Sequence, residues 1–265
     1  LKGASNLAWR HLPIAAALRE RYGVPALLDN DVNVAAWGER CFGAGTAGAE
    51  SAASENVVFL TVGTGIGAGL IESGRLLRGR GGAGEIGHIP LFPDGPVCRC
   101  GMTGCLEAVA SGPAFARAGQ DAVAAGEAPG LLALAGGDPR AVTTPLVVRA
   151  AVAGDPGATR LLDREGYYLA LAVPIAGRLL DPARVVLGGG LATAGAPLFE
   201  AVWSALARLR PRGPVPSMYV VPAALGDAAG AIGGAALILS PEPGFVAAGL
   251  SARARPPEAP MATGA

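Results

Sequence analysis

Residues 83–107 have the sequence AGEIGHIPLFPDGPVCRCGMTGCLE, which contains three of the four cysteines and one of the two histidines in the chain. One imidazole and three thiolates form a donor set that structural zinc prefers in tetrahedral sites. Glycines at 101 and 104 would let the backbone fold tightly around an ion. The spacing therefore predicts a zinc site with the ligands His88, Cys98, Cys100 and Cys105.

The alternative for these cysteines is a pair of disulfides that includes Cys41. The start of the chain carries no charged segment followed by an apolar segment and a cleavage site, so we expect a cytoplasmic protein. Disulfides are rare in that compartment. Zinc is therefore the favoured interpretation, with Cys41 as a small core residue.

Two glutamates bracket the predicted metal site. Glu85 lies three residues before His88, and Glu107 lies two residues after Cys105. Because the metal would fix both positions, we expect their carboxylates to be pre-organised as acceptors for sugar hydroxyls. The alternative is a pair of ordinary surface glutamates, which is the commoner location of this residue.

Two glycine-rich turns follow predicted strands. GTGIGAG at 63–69 departs from the dinucleotide-binding pattern because Ala68 occupies the last glycine position and a strand follows. Such a turn can still bind a phosphate through bare backbone N–H groups, with the Thr64 hydroxyl as a further donor. The second run, 188–190, could admit a nucleotide close to the backbone. For each turn taken alone, a simple tight turn is the alternative.

Asn30 and Asp31 lie between a predicted strand at Val24–Leu28 and a predicted helix at Val32–Phe42. Ligands of α/β sheets bind at this end of the strands. Asp31 could equally be a helix N-cap. Both roles are compatible, because a helix N-terminus favours an ionised carboxylate that could accept a proton from a hydroxyl.

The remaining elements follow from apolar periodicity and turn residues. The polar stretch Thr46–Glu55 is the predicted boundary between two lobes, and 106–180 is predicted to be mostly helical. We also predict helices at 13–22, 161–180, 197–208 and 227–239, and strands at 56–62, 68–71, 185–187 and 218–222.

Composition excludes several classes of protein. The 265 residues are 51% hydrophobic, which is too apolar for a disordered chain. Lys and Arg number 21 against 21 Asp and Glu, so the chain alone lacks the basic surface that nucleic-acid binding requires. The longest apolar stretch, 228–239, is shorter than the ~20 residues that span a bilayer, so no membrane segment is expected.

Five motifs together resemble the ROK family of repressors, open reading frames and sugar kinases, in the family's order over about residues 5 to 240. They are LDNDVN at 28–33, LTVGTGIG at 60–67, AGEIGH at 83–88, CRCGMTGCLE at 98–107 and VVLGGGL at 185–191.

The resemblance implies an α/β protein with the actin-like ATPase (ribonuclease H-like) fold of sugar kinases, in two lobes. It implies that 1–48 is a remnant of the first lobe, joined by the helix at 227–240. Residues 52–225 would form the second lobe, with the zinc-binding insertion at about 79–107, before a disordered tail at 241–265. The Asp-x-Gly-Gly-Thr motif that opens family kinases does not occur here, so we expect an incomplete first lobe with its N-terminal segment missing.

By the same resemblance, Asp31 is the general base for a sugar hydroxyl, and the sugar is held by Asn30, Asp31, Glu85, His88 and Glu107. His88 would also be a zinc ligand. Gly63, Thr64 and Gly65 would approach the ATP phosphates, with Mg²⁺ bridging them, and Gly189 and Gly190 would approach the adenosine.

The implied activity is ATP-dependent phosphorylation of a hexose or amino sugar, as in a glucokinase. The alternative is the sugar-sensing and dimerisation module of a ROK-family repressor, whose DNA-binding segment would precede this sequence. A homodimer is expected in either case.

Overall fold

The computed structural model of the chain describes residues 3–4, 7–10, 12–46, 56–209 and 219–239. The described residues divide into two compact units, one within 3–30 and the other within 31–239. Most of the predicted boundary at 46–55 and the whole predicted tail at 241–265 lie outside the described residues. The assignment of the chain to two lobes therefore stays a prediction.

The first unit contains a strand pair and one helix. β1 (Gly3–Ala4) and β2 (Leu7–Arg10) are antiparallel, and α1 (Ile14–Tyr22) follows them. As predicted, α1 ends at Gly23, whose left-handed φ of 65° lets its N–H donate to the carbonyl of Arg19.

The strand predicted at Val24–Leu28 is wrong. Residues 25–30 have no regular secondary structure, and Val24 and Leu28 are 54% and 46% exposed. A strand needs a ladder partner and a buried face, and this segment has neither among the described residues. The side chain of Arg19 donates to the carbonyl of Ala26 at 2.9 Å instead.

The second unit is built on a mixed five-stranded sheet with the order β5-β4-β3-β6-β7. Its strands are β3 (Val57–Val62), β4 (Ile66–Glu72), β5 (Arg75–Leu76), β6 (Arg184–Gly188) and β7 (Tyr219–Pro222). The strands predicted at 56–62 and 68–71 are confirmed as β3 and β4, although β4 begins two residues earlier than expected. β3 pairs antiparallel with β4, and β4 pairs antiparallel with β5. β6 and β7 continue the sheet in parallel with β3, so the turns that follow β3 and β6 lie side by side.

The central strand β3 is buried along its length. Val57 to Leu60 are all at most 3% exposed, because a central strand is covered on both faces. Alternate residues share a face, and Val58, Leu60 and Val62 all belong to the main hydrophobic cluster. β4 in turn packs against α2 (Asp31–Phe42), where Gly69 leaves room for the methyl group of Ala36.

Helices occupy most of 106–180, as predicted. The longest, α7 (Pro156–Leu180), begins five residues before the predicted start at Leu161, because Asp155 caps it through the N–H of Ala158 at 2.8 Å. α8 (Ala196–Arg208) packs along α7, and α9 (Ala229–Leu239) packs along α2. The helices after α2 are α3 (Leu106–Ala110), α4 (Gly112–Ala124), α5 (Pro129–Leu134), α6 (Thr144–Val152), α7 (Pro156–Leu180), α8 (Ala196–Arg208) and α9 (Ala229–Leu239).

None of the helices in the described ranges combines the length and apolar character that crossing a bilayer requires.

Candidate functional site

The four predicted metal ligands meet in one cluster. The ligand atoms of His88, Cys98, Cys100 and Cys105 all lie within 4.8 Å of one another. The Cys98 Sγ lies 3.6 Å from the His88 Nδ1, and the Cys100 Sγ lies 3.6 Å from the Cys105 Sγ. A tetrahedral zinc ion with Zn–S bonds of about 2.3 Å places its ligands roughly 3.5–3.8 Å apart, so this donor set fits zinc.

The backbone around the cluster explains why glycine flanks the cysteines. Gly101 and Gly104 have left-handed φ values of 92° and 74°. The N–H of Gly101 donates to the carbonyl of Cys98, and Cys98 in turn donates to the carbonyl of Met102 at 2.8 Å. These bonds turn the chain back on itself, which brings cysteines on both sides of the turn to one point. Cys41 lies on α2 and is not a member of this cluster.

The thiols of the cluster differ in acidity. Burial raises the pKa of the Cys105 thiol to about 12, whereas the pKa of the exposed Cys100 thiol is lowered, chiefly by a hydrogen bond from the backbone of Met102. A metal that binds here must displace the proton of Cys105, because the thiolate is the form that ligates.

The two ring nitrogens of His88 face different side chains. Its Nδ1 faces Cys98, and its Nε2 lies 3.9 Å from the Glu85 Oε2. The segment before it is fixed to β4, because the N–H of Ala68 donates to the carbonyl of Gly84 at 2.8 Å. The ring can therefore ligate a metal through Nδ1 while Nε2 and the Glu85 carboxylate, which is half-exposed, remain available to a ligand.

Glu107 lies in the first turn of α3, and its side chain is only 12% exposed. Its Oε2 accepts the backbone N–H of Ile66 at 2.9 Å, and its Oε1 lies 3.7 Å from the Arg99 Nη2. The ordinary surface location is thus wrong for Glu107. The sequence analysis predicts that Glu107 contacts a ligand, but no sequence pattern indicates its hydrogen bond to Ile66.

The two predicted glycine turns lie next to each other at the ends of β3 and β6. A Cβ on Gly63 would lie 3.8 Å from the backbone N of Gly190, and one on Gly189 would lie 2.5 Å from the carbonyl O of Val62. Thr64, Gly189 and Gly190 are all exposed. Bare backbone on adjacent turns is an arrangement that admits phosphate groups.

Asp31 is the first residue of α2 and is exposed, and its Oδ1 accepts the N–H of Val32 at 3.0 Å. A Cβ built on Gly67, within the first glycine-rich run, would lie 3.3 Å from a methyl carbon of Val32, so α2 begins close to that run. Asn30 is exposed at the end of the first unit, where its N–H donates to the Asp29 Oδ1.

Sequence reasoning missed Glu39, which lies on α2 and is 0% exposed. Its carboxylate accepts the backbone N–H groups of Ala44, Ala224 and Leu225 at 2.7, 3.2 and 2.8 Å. The signal in the sequence is the pair of glycines that follows, Gly43 and Gly45, since a side chain at either position would overlap Glu39 or its neighbour Arg40. Glu39 fixes the loop that follows β7 to the helix that begins with Asp31.

Comparison with known proteins gives one consistent result. The model of the ROK family matches residues 2–240. A glucokinase of Halalkalibacterium halodurans is 37% identical over 242 residues, which are 90% of this chain and 71% of that protein. The solved ROK family glucokinase of Streptomyces griseus, in complex with glucose and AMPPNP, is 35% identical with a TM-score of 0.78, over 89% of this chain and 75% of that chain.

A regulator is similar as well. The structure of a ROK family transcriptional regulator, a homologue of the Escherichia coli MLC protein, is 29% identical with a TM-score of 0.74. The match covers 87% of this chain and 55% of the regulator.

Proposed function

Since the chain belongs to the ROK family and has the actin-like ATPase fold of its sugar kinases, we propose that it is an ATP-dependent kinase of a hexose or amino sugar. The observation that carries this proposal is one connected set of contacts. Glu85 lies 3.9 Å from His88, which is one of the four candidate metal ligands, and Glu107 follows the last of them, Cys105. The Glu107 carboxylate accepts the backbone N–H of Ile66, next to the first glycine turn.

On this proposal the sugar is held by Asn30, Asp31, Glu85, His88 and Glu107. Support comes from the free Nε2 side of His88 and from the two carboxylates beside the cluster. Zinc bound by His88, Cys98, Cys100 and Cys105 would supply a rigid support that orients these side chains.

The nucleotide would lie along the two glycine turns. Gly63, Thr64 and Gly65 would face the phosphates of ATP, and Gly189 and Gly190 would face the adenosine. Support comes from the adjacency of the turns at the ends of parallel strands. Mg²⁺ bound with the nucleotide would neutralise the charge of its phosphates.

Asp31 would act as general base. Its carboxylate accepts the proton of one sugar hydroxyl while the hydroxyl oxygen bonds to the γ-phosphorus. The bond from that phosphorus to the β-phosphate oxygen breaks, and ADP leaves with the electron pair. Support for Asp31 comes from its position at the start of α2, beside the first glycine turn.

A coupled kinase assay with a panel of hexoses and amino sugars tests this function. We expect turnover with at least one sugar, and a fall in kcat of about 10²–10⁴ in Asp31→Asn. Asp121→Asn, an exposed carboxylate on α4, is the control and should retain full activity. Undiminished turnover in Asp31→Asn would refute the role of general base.

The similarity to a transcriptional regulator favours one second candidate, a sugar-sensing module. That candidate predicts sugar binding in calorimetry with no ATP turnover for any sugar of the panel. We further propose a homodimer, which is carried over from the resemblance; sedimentation of the purified chain measures it.

A further inference from the structure

Glu107 carries two contacts that its proposed sugar role does not use. One is the hydrogen bond from the Ile66 N–H to Oε2 at 2.9 Å, and the other is the ion pair of Oε1 with Arg99. Arg99 has a side chain 72% exposed, and such pairs contribute little to stability. The bond to Ile66 is shielded, because Ile66 is 3% exposed and the Glu107 side chain is 12% exposed.

The absence of a side chain at Gly65 leaves room for the hydrogen bond between Ile66 and Glu107. The φ of Gly65 lies outside the left-handed region, so its backbone conformation does not require glycine. A Cβ at this position would lie 2.5 Å from the Glu107 Oε2, which is too close for two nonbonded atoms. The missing side chain at 65 is therefore explained by the approach of the Glu107 carboxylate.

The same short segment also holds the other end of the turn. The N–H of Gly112 donates to the carbonyl of Gly63 at 2.8 Å, and the N–H of Ser111 donates to the carbonyl of Glu107 at 3.2 Å. Residues 107–112 thus hold the turn at Gly63 and at Ile66, and the exposed Thr64 lies between these two points.

We propose that Glu107 is a positioning residue for the Gly63–Ile66 turn as well as a sugar contact, and this inference rests on the proposed function. A carboxylate accepts hydrogen bonds at both oxygens. Oε2 holds the turn that faces the nucleotide, while Oε1 can exchange the weak Arg99 pair for a sugar hydroxyl. A single carboxylate then couples the sugar pocket to the phosphate turn.

Amide hydrogen exchange of the sugar-free chain tests the positioning role without activity. We expect Glu107→Ala to speed exchange at Ile66 about tenfold, since its acceptor is lost. Glu107→Gln keeps a carbonyl acceptor and should restore exchange to within about threefold of the unsubstituted chain. Unchanged exchange at Ile66 in Glu107→Ala would overturn the proposal.

The single variant Gly65→Ala covers the case in which Glu107→Ala does not fold, and a double-mutant cycle is added where Glu107→Ala does fold. Gly65→Ala leaves Glu107 present but displaces its carboxylate, so it should speed exchange at Ile66 in the unsubstituted chain. In a Glu107→Gln background, Gly65→Ala displaces the amide carbonyl in the same way, so it should again speed exchange at Ile66. In a folded Glu107→Ala background, Gly65→Ala should add nothing further. No effect of Gly65→Ala in the unsubstituted chain would overturn the proposal.

Calorimetry with AMPPNP tests the coupling, with Glu85 as the matched glutamate. Glu85 is a proposed sugar contact whose side chain has no hydrogen bond to the turn in the described structure. We expect Glu107→Ala to weaken AMPPNP binding about fivefold or more and Glu85→Ala to change it less than about twofold, while both weaken sugar binding. Equal AMPPNP losses in the two variants would overturn the coupling.

The two proposals fail in different ways. If the unsubstituted chain binds no AMPPNP, the proposed nucleotide role of the turn is refuted. The exchange rates at Ile66 would still support or overturn the positioning role of Glu107.

Discussion

At the scale of single residues, the metal ligands carry the clearest prediction. We expect about one equivalent of zinc per chain, because four ligand atoms lie at distances that suit a tetrahedral ion. Cys105→Ser should remove the zinc and lower Tm by about 10 °C, since metal binding and folding are linked. Metal analysis and thermal unfolding measure both effects.

Cys41→Ser is the matched control, because Cys41 lies outside the cluster. It should keep the full zinc content. Zinc-free protein from a fresh preparation of the unsubstituted chain would contradict the prediction.

Buried Glu165 gives a prediction about pH. It is 2% exposed, and its Oε1 has no hydrogen-bond partner among the described residues. Burial raises the pKa of this carboxyl well above its usual value, and the charge of Arg164 opposes the shift. The unfolded chain binds the proton less tightly than the folded chain, so the unfolding free energy falls as pH rises from about 4.3 through the folded pKa.

Glu165→Gln removes this proton linkage. The unfolding free energy of the variant relative to the unsubstituted chain should therefore grow with pH above about 5, by up to ~1.4 kcal/mol per pH unit. Urea unfolding across this range measures it, with the exposed Asp163→Asn on the same helix as control. A difference that does not vary with pH would show that Glu165 is not the group responsible.

The sequence predicted site residues whose chemistry is visible in residue type and spacing. His88 and the cysteines lie in one short segment, so local spacing was sufficient to predict their cluster. The bond of Glu107 to Ile66 spans 41 positions, and the bonds of Glu39 to Ala224 and Leu225 span 185 and 186. Such contacts depend on the tertiary arrangement, which one sequence does not reveal.

At the scale of elements, Asp155 links two helices. Its Oδ1 caps α7 through Ala158, and its Oδ2 accepts the N–H groups of Gly130 and Leu131 at the start of α5. Asp155→Ala would leave these donors unpaired at a site only 7% exposed, so we expect a loss of about 2–3 kcal/mol in unfolding free energy.

Asp138→Ala is the control for this cap. Asp138 is exposed and accepts one backbone N–H, from Arg140. Its loss should cost less than about 1 kcal/mol. Equal destabilisation of the two variants by urea would contradict the linking role of Asp155.

Element types were predictable where pattern and packing agree. Helix α1 ends at Gly23 as predicted, since glycine there permits the left-handed conformation that the bond to Arg19 needs. The strand at 24–28 failed because a short apolar run does not specify a ladder partner. The helix predicted from Leu161 began too late, since Pro156 suits the first turn of a helix and Asp155 caps it.

At the scale of the whole second unit, Glu39 joins parts of the chain that are far apart in sequence. It connects α2, which begins with the proposed base Asp31, to the loop that follows β7. Glu39→Ala leaves the N–H groups of Ala44, Ala224 and Leu225 without their acceptor in a fully buried site, so we expect a loss of about 3 kcal/mol or more.

Glu39→Gln separates shape from charge in this site. The amide keeps one carbonyl acceptor, but its NH₂ group would face backbone N–H donors, so it should recover only part of the lost stability. Urea unfolding of both variants measures the difference, and Glu200→Ala, an exposed glutamate on α8, should change stability by less than about 0.5 kcal/mol. If Glu39→Ala were no more destabilising than Glu200→Ala, contacts other than those of Glu39 would have to hold the loop after β7. The proposed link between that loop and α2 would then be refuted.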